Sequence, residues 1–285
     1  QSPNHDNKLT TTETRKLTRV ITLNTDDFRI RILSWNIDGL DGLNLWTRTY
    51  TVCQTIIQED PDVVFLQEVV PPSLKWINDH CSQYQVISGF LRAGYFSAIL
   101  LKHSSCAYRN HTVKPFVNSK QGRNLVIAQA QVKGLNMTLL TSHLESCRDK
   151  AEERMNQLDF AFLEMKSADE DHNVIFGGDL NLRDRELAEA GGLPQGIEDI
   201  WETTGSRYEA KFTWDVTRND NLDWDLDFKP KLRFDRMYLR PSTPETIKPV
   251  DFELVGIQRI ESCDRFPSDH WGILCHFNIL NKLPK

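Results

Sequence analysis

The chain has 285 residues, 39% of them hydrophobic and 26% charged, with a formal net charge of −6. Such values suit a globular chain with its own core; they exclude collagen-like and low-complexity classes and argue against indiscriminate adhesion to polyanions. No apolar run is long enough to span a bilayer and no secretory leader is recognisable, so no membrane partner is expected. Cys53, Cys81, Cys106, Cys147, Cys263 and Cys275 form no Cys-x-x-Cys pair, and several lie in apolar segments, as buried free thiols of a reducing compartment do. The first residue is Gln, so the chain is expected to be a fragment of a longer protein.

Residues 1–27 are polar and Thr-rich without a sustained apolar face, and read as a tail. Residues 28–285 carry no linker-like stretch and are expected to form one domain. Arg29-Ile30-Arg31-Ile32-Leu33 alternates like a strand and runs into Trp35-Asn36. Helical spacing from Leu43 to Glu59 ends at Asp60-Pro61. Asp62-Val63-Val64-Phe65-Leu66 is a buried-strand signal closing on Gln67-Glu68, and Pro71-Pro72 opens a helix reaching about His80. Strands are expected at Tyr84–Ile87, Tyr95–Leu101, Asn124–Val132 and Met137–Thr141. Between Asp149 and Lys166, Ala151, Met155, Leu158, Phe162 and Met165 recur at steps of four and three and make one apolar helix face. Asn173–Phe176 is a strand ending at Gly177-Gly178, and Phe234–Leu239, Phe252–Ile257 and Gly272–Leu280 are later strands. Asn219 to Pro230 is a long acidic and aromatic loop. Strands joined partly by hairpins and partly by helices predict stacked sheets flanked by helices, with ligands collecting at strand ends.

Polar clusters stand where the apolar runs stop. Glu68 directly follows a buried strand, where a carboxylate is costly unless solvated, paired or bound to metal. With Asn36 and Asp269 at other strand ends, an oxygen-ligand site for Mg²⁺ forms a coherent reading, since that ion favours one or two carboxylates, waters and phosphate oxygens. Asp179 and Asn181 are one residue apart; in extended backbone both face one side and can hold a water, whereas an Asx turn is the alternative use of Gly-Asp-x-Asn. His143 and His270 suit a phosphodiester transition state as donors to nonbridging oxygens; a structural imidazole is the plainer alternative. Asp235 can orient one imidazole or pair with a neighbouring Arg. Lys120, Arg123 and Arg183 can hold flanking phosphates, and Tyr95, Trp214 and Phe234 can be core or a stacking platform.

Trp35-Asn36, Gln67-Glu68, Gly178-Asp179-Leu180-Asn181 and Ser268-Asp269-His270 in this order resemble the endonuclease/exonuclease/phosphatase superfamily over roughly residues 28–280. The longer strings Trp35 to Asp41, Thr141-Ser142-His143-Leu144-Glu145-Ser146, Gly178 to Asp184, Gly191-Gly192-Leu193-Pro194 and Phe266 to Gly272 resemble its tyrosyl-DNA phosphodiesterase family. That resemblance implies a four-layered α/β sandwich of two stacked mixed β-sheets flanked by helices. It implies a Mg²⁺-dependent hydrolase, with Mn²⁺ as a substitute, that frees DNA 5′ ends from topoisomerase 2 tyrosines and leaves a 5′-phosphate in double-strand-break repair. Implied roles are metal binding for Glu68, Asp269 and Asn36, catalysis for these and for His143, Asp179, Asn181, Asp235 and His270, and substrate contact for Tyr95, Arg123, Ser146, Arg183, Trp214, Phe234 and Trp271. A nuclear monomer is expected, with cytoplasm as a second location and 5′-tyrosyl RNA as a second substrate. The family's Gly-Asp-Thr-Asn is Gly-Asp-Leu-Asn here. An abasic-site nuclease, an RNA deadenylase and a lipid phosphodiesterase share the short motifs, and a binding module with a retired site is the reading from another class.

Overall fold

The structure, a computed structural model, describes residues 28–90 and 94–280; the expected tail at 1–27 lies outside the described residues. In chain order the elements are β1 (Arg29–Asn36), α1 (Leu45–Glu59), β2 (Val63–Val69), α2 (Pro71–His80), β3 (Tyr84–Ser88), β4 (Phe96–Lys102), β5 (Cys106–Pro115), β6 (Asn124–Val132), β7 (Leu135–His143) and α3 (Ala151–Ser167). There follow β8 (Asn173–Asp179), α4 (Asp184–Glu189), β9 (Glu198–Asp199), α5 (Ile200–Thr203), β10 (Trp214–Asp215), β11 (Lys231–Leu232), β12 (Asp235–Arg240), β13 (Ile247–Val255) and β14 (Gly272–Ile279).

Two six-stranded sheets result, ordered β13-β14-β1-β2-β4-β3 and β5-β6-β7-β8-β12-β9. Both are mixed: β1–β2 and β7–β8 are parallel, and the remaining pairs are antiparallel. The near-continuous apolar run in β2 is explained by burial on both faces. Ile30, Ile32, Val63 and Phe65 face the second sheet and meet Val126, Leu139, Ile175 and Met237. On the outer face Leu33, Val64 and Leu66 meet Val52, Cys53 and Ile56 of α1 and Ile77 of α2. Beneath the second sheet, Leu140, Val174 and Phe176 meet Leu158, Ala161, Phe162 and Met165 of α3, the stripe expected from its spacing. Helices, sheet, sheet and helix thus form the four-layered sandwich. Each fully buried Leu, Ile or Phe in these layers contributes roughly 1.5–3 kcal/mol.

β5 has no counterpart in the sequence reading. It is an edge strand, exposed along most of its length and broken by a bulge between Tyr108 and Asn110, so it lacks the apolar alternation that marks a half-buried strand. β8 also runs further than expected, through both glycines to Asp179. Gly178 does not end the strand; it permits a close pairing, since a Cβ there would lie 2.0 Å from the Ser142 carbonyl oxygen. The two parallel pairs share one direction of use: β1, β2, β7 and β8 all end in polar side chains at the same rim.

Candidate active site

Register sets the centre. His143 stands opposite Asp179 across β7–β8, and Asp235 stands opposite Asp179 across β12–β8. The register shift between Leu66 and Val69 and a φ of +55° at Glu68 turn that side chain out of the regular pleat. Asp38 and Asn181 also have positive φ, 50° and 49°. Three polar residues in the left-handed region around one rim are the kind of strain that functional sites store. The Ser268-Asp269-His270 string is tied to β1: Ser268 Oγ donates to the Asn36 carbonyl at 2.6 Å, and Trp35 Nε1 donates to the His270 carbonyl at 3.0 Å.

Asp179 is the hub. Its Oδ2 accepts from Asn36 Nδ2 at 3.0 Å and lies 3.2 Å from His143 Nε2 and 3.7 Å from His270 Nε2. Its Oδ1 accepts from the Asn181 backbone N–H at 3.0 Å. This is the Asx turn, and it corrects the extended geometry expected for Asp179-Leu180-Asn181. The turn and the site coexist, because Asn181 Nδ2 is spent on the Leu144 carbonyl and its amide oxygen is left to accept. Leu180 is buried in the core against α3, so the Thr-to-Leu departure sits away from the polar centre.

The two imidazoles differ. Burial alone would lower the His270 pKa, but Asp235, Asp179 and Asp269 raise it well above its ordinary value, and Asp235 Oδ2 sits 2.8 Å from His270 Nδ1. His270 is therefore an imidazolium. His143 is pushed down to about 3 by burial and by Arg123, so it is neutral. Burial would raise the Asp179 carboxyl, yet the imidazoles and the donors from Asn36 and Asn181 hold it below the usual carboxylate range. A carboxylate that stays ionised beside an imidazolium is suited to accepting from and orienting a water.

A second group of acids faces this network. Burial and the neighbouring Asp269 push the Glu68 carboxyl up to about 7. Burial and Asp269 likewise push Asp38 up to about 8, against the pull of Arg48. Three mutually repelling carboxylates beside the neutral amide oxygen of Asn36 are a hard-oxygen donor set short of positive charge, which fits a divalent cation. Asp179, Asp235 and His270 bring ligand atoms within 4.8 Å of one another, and there the imidazolium already balances the carboxylates.

The family model for the endonuclease/exonuclease/phosphatase family matches residues 33–270. The human tyrosyl-DNA phosphodiesterase 2 is 44% identical over 250 residues, 87% of this chain and 68% of its own. The crystal structure of the Danio rerio enzyme of that name, complexed with single-strand DNA product, superposes with a TM-score of 0.84 at 40% identity, covering 88% of this chain and 99% of that one. The Caenorhabditis elegans structure gives 0.80 at 39% identity, covering 88% and 75%. This chain belongs to the tyrosyl-DNA phosphodiesterase 2 family.

As expected of a family member, the rim around the acids is partly basic. Arg123 stacks over Tyr95 with its guanidinium carbon 5.2 Å from the ring centroid, and its buried Nη1 has no partner among the described residues. Gln121 couples it to Ser146: Gln121 Nε2 donates to Ser146 Oγ at 2.6 Å, and Gln121 Oε1 accepts from Arg123 and from the Ser146 backbone N–H. Arg183 lies over Phe234 at 5.5 Å, and Phe234 stands beside Trp214, whose Nε1 donates to Asp269 at 3.2 Å. Tyr95, Arg123, Ser146, Arg183, Trp214 and Phe234 therefore do ring the centre. Trp271 does not. It is 1% exposed and packs edge-on against Phe266 at 4.9 Å, so it is core and not a DNA contact. The sequence could not show this, because its neighbours Asp269 and His270 do face the site.

Three residues escaped the sequence reading. Asp38 lies two positions after Asn36, in a loop so tight that a Cβ on Gly39 would sit 2.1 Å from the Glu68 carbonyl oxygen. Arg48 on α1, fully buried, donates to the carbonyls of Asp38, Leu43 and Pro267 at 3.0 to 3.2 Å and pairs with Asp38 at 3.4 Å, clamping the β1–α1 loop to the Ser-Asp-His string. Its helical setting disguised it as a surface charge. Arg148 joins Arg183, Arg185, Glu186 and Glu189 in lining a cleft of about 530 Å³.

Proposed function

We propose that this chain is a Mg²⁺-dependent 5′-tyrosyl-DNA phosphodiesterase. It hydrolyses the bond between a topoisomerase 2 tyrosine and a DNA 5′ end, leaving a 5′-phosphate for religation in double-strand-break repair. The observation that carries this is the division of the centre into an ionised Asp179 held by Asn36, Asn181 and the imidazoles, and a facing acid group at Glu68, Asp38 and Asp269. That division sits in a family whose D. rerio member is seen with DNA product.

Glu68, Asp269 and the Asn36 amide oxygen would hold the cation, with Asp38 beside them. A divalent cation held there would supply positive charge to the phosphate as the bond breaks. A water between Asp179 and the Asn181 amide oxygen attacks phosphorus in line, and Asp179 takes its proton. His270, kept charged by Asp235, donates to a nonbridging oxygen as charge builds there. His143, being neutral, has one N–H to donate, and its Nε2 lies 3.2 Å from Asp179. The bond to the tyrosine oxygen breaks, and the phenolate leaves to take a proton from solvent. Its pKa near ~10 makes it a far better leaving group than an alkoxide, so no strong general acid is required. Arg123, Arg148 and Arg183 hold DNA phosphates, and Tyr95, Trp214 and Phe234 line the approach. Mn²⁺ as a substitute metal, 5′-tyrosyl RNA as a second substrate, and action as a nuclear monomer belong to the same proposal, supported by the family resemblance.

A substrate panel tests it. A 5′-phosphotyrosyl oligonucleotide, a plain oligonucleotide and an abasic duplex are offered with Mg²⁺, with Mn²⁺ and with chelator. Metal-dependent release of a 5′-phosphate end from the first alone is expected. Cutting of the plain or abasic strand instead would overturn the assignment while leaving the family intact.

A further inference from the structure

At the end of β8 remote from Asp179, the loop between α3 and β8 carries Asp169, Asp171 and His172. One ligand atom from each lies within 4.8 Å of the others. Acids on a surface loop would be ordinary; the buried imidazole among them is not. His172 is 3% exposed, and its Nδ1 stands 2.8 Å from Thr138 Oγ1 on β7. With Nδ1–H given to that hydroxyl, the ring keeps a lone pair on Nε2. Nε2 makes no hydrogen bond among the described residues, and the Asp169 carboxylate lies 3.9 Å from it. An N–H···O bond would need about 2.9 Å. A lone pair facing carboxylates finds no proton there, whereas one cation between them satisfies all three.

The set is braced from behind. Asn136 Nδ2 donates to Asp171 Oδ2 at 2.7 Å, as Thr138 braces His172, and bonds of this kind behind metal ligands fix their orientation. The loop backbone is held as well. The Thr243 N–H donates to the Glu170 carbonyl at 2.7 Å, and Arg240 donates to the carbonyls of Met165, Ala168 and Asp169 at 2.8 to 3.1 Å. Among the described residues, no Lys or Arg pairs with the Asp169 or Asp171 carboxylate. Donors around a tetrahedral Zn²⁺ stand about 3.3 Å apart. A small rotation of the Asp169 side chain, 76% exposed, closes the gap from 3.9 Å.

We infer that Asp169, Asp171 and His172 form a second metal site, separate from the catalytic acids, for a transition-metal dication of the Zn²⁺ class. One imidazole nitrogen with two carboxylates suits Zn²⁺, while the oxygen donors Glu68, Asp269 and Asn36 suit Mg²⁺, so the two ions sort by ligand type. The bound ion ties the α3–β8 loop at the far end of the strand that carries Asp179, and it stabilises the fold without entering the reaction. The inference goes beyond the phosphodiesterase reading and does not depend on it.

The full chain, kept in excess Mg²⁺ to fill the catalytic acids, is titrated with Zn²⁺ by calorimetry while its Tm is followed in parallel. Wild type is expected to take up one Zn²⁺ that Asp169→Asn/Asp171→Asn and His172→Ala do not, and to melt higher with Zn²⁺ where the variants do not. The two aspartates are on the surface, so their variant decides the matter if His172→Ala fails to fold. Thr138→Val keeps the shape and removes the bond behind the imidazole; it should weaken Zn²⁺ binding about 10–100-fold. Turnover of the tyrosyl oligonucleotide in Mg²⁺ by Asp169→Asn/Asp171→Asn is expected to match wild type. No Zn²⁺ uptake by wild type, or equal uptake by the folded aspartate variant, would overturn the inference; equal uptake would point instead to Asp251, Glu253 and His276, whose ligand atoms also lie within 4.8 Å of one another. Undiminished affinity in Thr138→Val would remove His172 from the ligands, and slower turnover by the aspartate variant would contradict a site apart from the reaction.

Discussion

Glu68→Gln is expected to make the metal-free protein more stable and the enzyme inert. Glu68 has only 16% of its side chain exposed, and its carboxyl is raised from an ordinary 4.5 to about 7 by burial and by Asp269. At about 1.4 kcal/mol per pKa unit, holding it ionised in the metal-free fold costs about 3 kcal/mol above pH 8. Because the folded pKa lies above the unfolded one, its favourable contribution is complete below about pH 4.5 and is lost as pH rises through about 7. Glutamine keeps the shape without the charge. In a domain of this size about 3 kcal/mol corresponds to a Tm rise of about 6–10 °C. Differential scanning calorimetry with chelator should therefore show wild type and Glu68→Gln melting together near pH 4.5 and the variant melting higher at pH 8. Saturating Mg²⁺ should raise the wild-type Tm at pH 8 and leave the variant unmoved. A variant no more stable than wild type at pH 8, or one that gains as much from Mg²⁺, would refute the role given to this carboxylate.

Asp235→Asn removes the carboxylate that keeps His270 charged; kcat should fall by about 10²–10³-fold in a folded protein, with little change in KM, as steady-state kinetics will show. Arg123→Ala should raise KM for the oligonucleotide and make log(kcat/KM) less steeply dependent on log[salt], which a salt titration measures. Trp271→Ala should cost about 3–5 kcal/mol in denaturant unfolding, the effect of emptying a core site.

The sheets were legible because β2 and β8 are buried on both faces and read as continuous hydrophobic stretches, while β1 showed the alternation of a strand. α2 begins at Pro71 and ends at His80, as its proline start and spacing predicted. The edge strand β5 was invisible for the opposite reason: it buries little, and pairing with β6 holds it in place. At the site, the structure brings Asn36, Glu68, His143, Asp179, Asn181, Asp235 and His270 together because strand ends converge. Trp214 and Phe234 were open between core and platform; Phe234 is 8% exposed yet lies against Arg183, and Trp214 is half-buried beside it. What the sequence could not separate was the charge of the two histidines. His143 and His270 share one carboxylate, but only His270 has Asp235 behind it. Arg48 was hidden because its burial depends on Pro267, distant in the chain, and Trp271 because it packs on Phe266 beneath the sheet rather than facing the site with its neighbours.

The most direct test of the mechanism is a single turnover of 5′-phosphotyrosyl oligonucleotide in ¹⁸O-labelled water, with mass analysis of both products. Attack on phosphorus by the water held at Asp179 and Asn181 predicts one ¹⁸O in the 5′-phosphate and none in the released tyrosine. Label in the tyrosine, or a phosphoryl group trapped on the protein, would contradict it.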